Sequence, residues 1–389
     1  MIDSTIRGEL VRPAYGVASL ADVMPGALAS LGVPGPDPLG LADQELAGVT
    51  GVAVLLVDGL GHHMLPMALP YAPTIADIVN GRLAGAGARA ITTGFPSTTP
   101  ASLATLTTGS APGAHGIVGI FLNIPGTEQV LNLLRWRDEP DPLRWQPLTT
   151  QFARAAQAGV FTRAVSRPEF ADSGLTAATL RGTEYVGTSD VDDTVERVVD
   201  GLTRRPSIVY TYLADVDRAG HEFGVDSPQW RDAVAVVDGL VTRLVDALPA
   251  GTALLVTADH GQLNVPANRR FDLDSDGRLR KGVRVVAGEP RVRYLHTHAG
   301  AAEDVRATWS GILGDAATVM TRDEAIADGW FGPVAEEHLQ RVGDVVAVCR
   351  DDFAVLATAS EPRQIAAMIG FHGSATEAEM RIPLLIVRR

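Results

Sequence analysis

Three continuous apolar runs constrain this chain more than any other feature. They are Gly51–Val57, Ser207–Leu213 and Ala253–Thr257. Runs of this kind suit parallel strands covered on both faces, because a sheet with one wet face would alternate polar and apolar residues. Between them lie helical patterns. Asp190–Thr203 places Val191, Val195, Val198, Val199 and Leu202 on one face, and Pro228 opens a longer helix that runs to Leu248. The alternation predicts an α/β fold with a doubly wound, mostly parallel sheet. In such sheets ligands bind beyond the carboxyl ends of the strands. Each run here is followed closely by an acid: Asp58, then Asp217, then Asp259.

The rest of the chain is organised around that sheet. Residues 1–48 are rich in Pro and Gly and read as a wrapping arm with one short helix. From Asn264 to Asp352 the texture changes to short strands (Val283–Val286, Val292–Leu295) and helices (Ala302–Leu313, Arg322–Asp328). This predicts an α+β insert or cap, residues 264–352, on a core of residues 1–263 and 353–389. The core would resume with Phe353–Thr358 and close with Ile382–Val387. A net charge of −13 argues against a surface for nucleic-acid polymers. No run approaches the roughly 18 apolar residues of a membrane span, and the first residues lack a signal-peptide pattern. The lone cysteine, Cys349, excludes an internal disulfide. A cytoplasmic protein with no membrane partner is expected.

Two sets of residues carry chemistry. In the first, an extended run (Ala88–Thr93) is broken by Gly94 and Pro96. The hydroxyl cluster Ser97, Thr98 and Thr99 follows, and a small-residue helix then runs to Gly109. A helix N-terminus with exposed N–H groups receives phosphate well. The same hydroxyls would also serve as plain helix caps. The second set lies at strand ends: Asp58, the pair Asp217 and His221, the pair Asp259 and His260, and the late His372. Three carboxylates and three imidazoles suit two zinc-like ions. Asp217 and His221 are four apart, one turn of a helix. Taken singly, each is more often a satisfied polar residue than a ligand. It is their joint occurrence after apolar strands that points to a metal centre.

The motifs Val-Asp58-Gly, Phe-Pro-Ser-Thr-Thr99 through Gly109, His115-Gly-Ile, Asp217-Arg-Ala-Gly-His221, Ala-Asp259-His260-Gly and His372-Gly resemble the alkaline phosphatase superfamily. Within it they are most similar to the type I phosphodiesterase/nucleotide pyrophosphatase branch. The resemblance runs from about residue 50 to the C-terminus. It implies that Asp217, His221 and His372 bind one divalent ion and that Asp58, Asp259 and His260 bind the other, with zinc or manganese as the metal. It also implies that Thr99, on the second ion, is the nucleophile of a phosphothreonine mechanism. The expected substrate is a small phosphate ester, such as a nucleotide.

The chain departs from the branch in having Pro100-Ala101-Ser102 where Phe-Pro-Asn is usual. The Asn that follows the His-Gly-Ile segment is represented by Asn123, a candidate substrate contact. Arg291, Tyr294 and His296 in the insert are further candidates. The rival expectations are a monoesterase or phosphonate hydrolase of the same superfamily, and a non-catalytic metal- and phosphate-binding protein. Sulfatase chemistry is disfavoured, because the Cys/Ser-X-Pro-X-Arg motif is missing from the nucleophile segment.

Overall fold

A computed structural model describes residues 8–389. The expectation drawn from the first seven residues lies outside that range. Strands β1 (Gly51–Val57), β2 (Ala86–Thr92), β3 (Phe161–Ser166), β4 (Glu184–Gly187), β5 (Ser207–Leu213) and β6 (Thr252–Thr257) belong to the main sheet. Strands β7 (Val283–Glu289), β8 (Val292–Thr297), β9 (Ala317–Thr321) and β10 (Val345–Cys349) form a second one. Strand β11 (Arg381–Arg388) returns to the first.

The main sheet has seven strands in the order β2-β11-β6-β1-β5-β3-β4. All its pairings are parallel except those of β11, which runs antiparallel between β2 and β6. Every residue of β1 is buried, as its unbroken apolar run requires. Helices α3 (Val191–Thr203), α4 (Asp215–Phe223) and α5 (Pro228–Ala247) follow strands β4 and β5. Val198 and Leu202 of α3, with Trp230, Val234, Val241 and Leu244 of α5, bury themselves in the same core as β1. In register, Leu56 of β1 stands beside both Tyr212 of β5 and Thr257 of β6. The carboxyl ends of these three strands are therefore level, and the residues that follow them meet.

The N-terminal arm contains helix α1 (Val23–Ser30), whose Val23, Met24, Ala27 and Leu28 enter the main core. The arm also grips the approach to the hydroxyl cluster. Ala14 N–H donates to Thr92 Oγ1 at 2.8 Å, and Phe95 N–H donates to the Tyr15 hydroxyl at 3.0 Å.

The second sheet has the order β7-β8-β10-β9 and is antiparallel. Helix α6 (Ala302–Leu313) covers it through Val305, Trp309 and Leu313. Strand β7 runs three residues beyond the expected Val286, because Ala287, Gly288 and Glu289 go on pairing with Tyr294, Arg293 and Val292 of β8. The expected return to the core at Phe353–Thr358 is corrected. Ala354–Leu356 pairs with Arg270–Asp272, beside the second sheet. The Arg293 guanidinium holds it there by donating to Val355 O at 2.8 and 2.6 Å. The chain rejoins the main sheet only at Arg381. Among the described residues, no helix is long and apolar enough to cross a membrane.

Candidate active site

Helix α2 (Thr99–Thr108) opens at the hydroxyl cluster, with Thr98 at its N-cap in an extended conformation. The capping reading of these hydroxyls finds no support, since the Thr98 side chain makes no cap hydrogen bond and its Oγ1 is buried without a partner. Ser97 Oγ donates to Ser374 O at 2.5 Å. Thr99 Oγ1 alone of the three faces the acids and imidazoles, 3.2 Å from His260 Nε2 and 3.4 Å from Asp58 Oδ2. The helix stops at Gly109, whose φ of 67° is left-handed. A Cβ there would meet Gln151 Nε2 at 2.7 Å and Pro25 Cγ at 2.8 Å, so only glycine fits.

Two clusters lie against Thr99. In one, His260 Nε2 is 3.4 Å from Asp58 Oδ1 and 3.3 Å from Asp259 Oδ2. In the other, His221 Nε2 is 3.2 Å from Asp217 Oδ2 and 3.2 Å from His372 Nε2. Stacked rings of His260 and His372, with centroids 3.7 Å apart, join the two. Each imidazole turns Nδ1 to a backbone carbonyl: His221 to Gly370 at 2.8 Å, His260 to Gly261 at 3.1 Å and His372 to Ser97 at 3.0 Å. A carbonyl only accepts, so this arrangement assigns the proton to Nδ1 and leaves the Nε2 lone pair facing inward.

The electrostatics fit a cationic occupant. Burial, with repulsion from Asp259 and Asp217, pushes the Asp58 carboxyl well above its ordinary range. Burial also raises Asp259, against the pull of His260. Burial also pushes Asp217 up, but His221, His372 and His260 together pull its carboxyl below its ordinary range. Asp58 Oδ1 and Asp259 Oδ2 are buried with no hydrogen-bond partner. Buried orphan oxygens and converging lone pairs are what a divalent ion satisfies. Among the described residues two candidate metal groups result, Asp58–Asp259–His260 and Asp217–His260–His372.

The structure brings all seven strand-end and hydroxyl candidates together: Asp58, Thr99, Asp217, His221, Asp259, His260 and His372. It does not bring the four substrate candidates into the walls of the cavities beside Thr99. Arg291 is fully buried in a bidentate pair with Glu379, at 3.0 and 2.7 Å. The Tyr294 hydroxyl donates to Val118 O at 2.7 Å. His296 is buried, which pushes its imidazole down to about 4. Asn123 spends its amide on Thr127 O and Gln129 O, each at 3.0 Å.

Sequence reasoning missed three residues at the site. The Tyr212 hydroxyl donates to Asp58 Oδ2, Gln262 Nε2 donates to Asp217 Oδ1 at 2.9 Å, and Glu289 walls one of the cavities. Tyr212 could have been found from its place near the carboxyl end of β5, the strand next to β1.

Thr99 lies at the junction of two cavities. Cavity A, of about 540 Å³, is walled by Leu103, Trp136, Phe170, Tyr185, Tyr210 and Tyr212. Cavity B, of about 340 Å³, contains Asp217, His221 and His372 in its wall. Leu134 and Arg135 line both.

A family model described as type I phosphodiesterase / nucleotide pyrophosphatase matches residues 52–375. An uncharacterized pyrophosphatase/phosphodiesterase of Schizosaccharomyces pombe is 26% identical over 202 residues, covering 46% of this chain and 39% of that protein. An ectonucleotide pyrophosphatase/phosphodiesterase 2 of Saccharomyces cerevisiae is 29% identical over 195 residues, covering 45% of this chain and 39% of that protein. The chain thus spans about two fifths of the length of these curated relatives, 39% in each. Among solved structures, murine ectonucleotide pyrophosphatase/phosphodiesterase 5 superposes with a TM-score of 0.69 at 22% identity, covering 87% of this chain and 88% of that one. Phosphonoacetate hydrolase from Sinorhizobium meliloti, in complex with phosphonoacetate, gives 0.65 at 20% identity, covering 88% and 91%.

Proposed function

The chain belongs to the type I phosphodiesterase/nucleotide pyrophosphatase family of the alkaline phosphatase superfamily, and from that premise we propose that it hydrolyses phosphoric diesters through Thr99. The observation that carries this reading is the position of Thr99 Oγ1. It sits at a helix N-terminus, against Asp58 and His260, where two cavities meet.

Asp58, Asp259 and His260 would hold one divalent ion, and Asp217, His221 and His372 a second. When bound, such ions favour the alkoxide form of the threonine and offset charge on the transferring phosphoryl group. His260 Nε2 and Asp58 Oδ2 flank the Thr99 hydroxyl and fix the position of its oxygen. The Thr99 hydroxyl gives up its proton to water as Oγ1 attacks phosphorus, the bond to the leaving oxygen breaks, and that oxygen takes up a proton from water. The phosphothreonine formed still carries the second substituent. Water then attacks phosphorus, the bond to Oγ1 breaks, and a phosphomonoester departs.

The aromatic wall of cavity A suits a planar substituent such as a nucleobase. In keeping with this, an inactive variant of murine ectonucleotide pyrophosphatase/phosphodiesterase 5, with a TM-score of 0.68, has been solved in complex with AMP. Phosphonate cleavage is the second reading, favoured by the likeness to phosphonoacetate hydrolase. One screen of the metal-loaded protein separates the two. It compares bis-p-nitrophenyl phosphate, the p-nitrophenyl ester of thymidine monophosphate, p-nitrophenyl phosphate and phosphonoacetate. Turnover of the diesters that is lost in Thr99→Ala supports the proposal, and turnover of phosphonoacetate alone overturns it.

A further inference from the structure

The two cavities differ in a way that sorts the two arms of a diester. In-line attack by Thr99 Oγ1 puts the leaving oxygen on the far side of phosphorus. Oγ1 abuts Asp58 and His260. The opposite cluster, Asp217, His221 and His372, lies in the wall of cavity B and not of cavity A. The leaving group therefore enters cavity B, and the retained group occupies cavity A.

Cavity B is walled by Ile120, Phe121, Pro290, Ile365, Met368 and Phe371. Its further acidic residue is the buried Glu289, which offers an anion no cationic partner. Arg135 also touches this cavity, but it is exposed and shared with cavity A and with the outer recess of Val130 and Glu139. Its charge thus lies at the common mouth. A phosphate or carboxylate set against Ile120, Phe121, Met368 and Phe371, away from the Asp217 cluster and Arg135, would lose its hydration with only neutral Asn132 and Gln364 to replace it. An uncharged apolar group would gain from the same walls.

We infer that cavity B is a leaving-group subsite for an uncharged apolar alcohol or phenol, so that the substrate is a mixed diester with a planar group in cavity A and an apolar group in cavity B. The inference rests on the reading that Thr99 attacks a phosphoric diester.

The test compares two esters of thymidine monophosphate on the metal-loaded protein. One carries a para-butylphenyl group and the other a para-(carboxymethyl)phenyl group, leaving groups of similar acidity. The butyl ester should win by about ten-fold or more in kcat/KM. Calorimetry with the matching analogues, in which carbon replaces the leaving oxygen, should give the same order of dissociation constants. Met368 is half-buried, so a long charged side chain there can carry its head to water. Met368→Lys should cut the preference about ten-fold, while Met368→Leu should keep it. Equal or reversed preference in the wild type, or a ratio unmoved by Met368→Lys, overturns the inference while leaving diester hydrolysis standing. No turnover of either ester, nor of bis-p-nitrophenyl phosphate, overturns both.

Discussion

The Nε2 atoms of His221 and His372 face each other at 3.2 Å, with both Nδ1 atoms turned to backbone carbonyls. Two lone pairs at that distance repel unless a cation lies between or beside them. Metal analysis of the purified protein is therefore expected to find up to two divalent ions per chain. Chelation should abolish hydrolysis and lower the melting temperature, and His372→Ala should lower metal occupancy. Full activity in a demonstrably metal-free sample would sink the site.

The second prediction concerns the nucleophile. Thr99→Ala should retain metal and lose activity by about a thousand-fold or more. Thr99→Ser keeps the oxygen and should retain part of it. Thr98→Ala removes only an unpartnered buried hydroxyl and should fold and turn over. If Thr98→Ala is the inactive variant, the attacking oxygen has been placed one residue too late.

Arg291 is expected to act on stability and not on substrate binding. Its partner Glu379 also accepts hydrogen bonds from Ser374 N–H at 3.0 Å and from the Thr376 hydroxyl at 2.5 Å. Both charges are fully buried. Arg291→Ala strands the Glu379 carboxylate and should cost about 3–5 kcal/mol in urea unfolding. A raised KM at unchanged stability would reinstate Arg291 as a substrate contact.

Glu289 makes stability depend on pH. Burial pushes its carboxyl up to about 8, against the hydrogen bond from Ile120 and the charge of Arg293. Its folded pKa is thus raised above the ordinary value of 4.5. Between those values the folded state binds more protons than the unfolded one. The contribution of Glu289 is therefore fully present below pH 4.5 and lost as pH rises to about 8. Glu289→Gln should remove this loss. Urea midpoints of both proteins at pH 5 and pH 8 should converge at the lower pH and favour the variant at the higher. Parallel pH profiles would refute the assignment.

Diesters should be better substrates than monoesters. A monoester dianion brings one more negative charge to a site already crowded by Asp58, Asp217 and Asp259. No Lys or Arg lies between Ala90 and Leu134 in the nucleophile segment. With matched p-nitrophenyl leaving groups, a monoester preferred by about ten-fold, or 1.4 kcal/mol of transition-state discrimination, would contradict the prediction.

The site was legible in the sequence where strand ends announce themselves. Apolar runs predicted the positions of β1, β5 and β6. Their parallel pairing then brought Asp58, Asp217 and Asp259 to one edge without any contact being known in advance. What the sequence hid were side chains whose role depends on tertiary partners. Tyr212 sits inside an apolar strand and reads as core until its hydroxyl is seen against Asp58. Arg291 and Tyr294 read as polar groups of a cap, yet Glu379 and Val118 O, both distant in sequence, hold them in the interior. Ala354–Leu356 is apolar enough for the main sheet, and only the hold of Arg293 on Val355 shows why it stays with the insert.

The antiparallel strand β11 has a consequence for how the chain is made. It lies between β2 and β6, and among the described residues it is the only strand paired with β2 in the sheet. Until residues 381–388 leave the ribosome, β2 has no place to add and β6 shows an open hydrogen-bonding edge. The residues between β6 and β11 must then be made with that edge exposed, which invites pairing between neighbouring nascent chains. Chaperone demand during synthesis should accordingly fall only when this segment emerges.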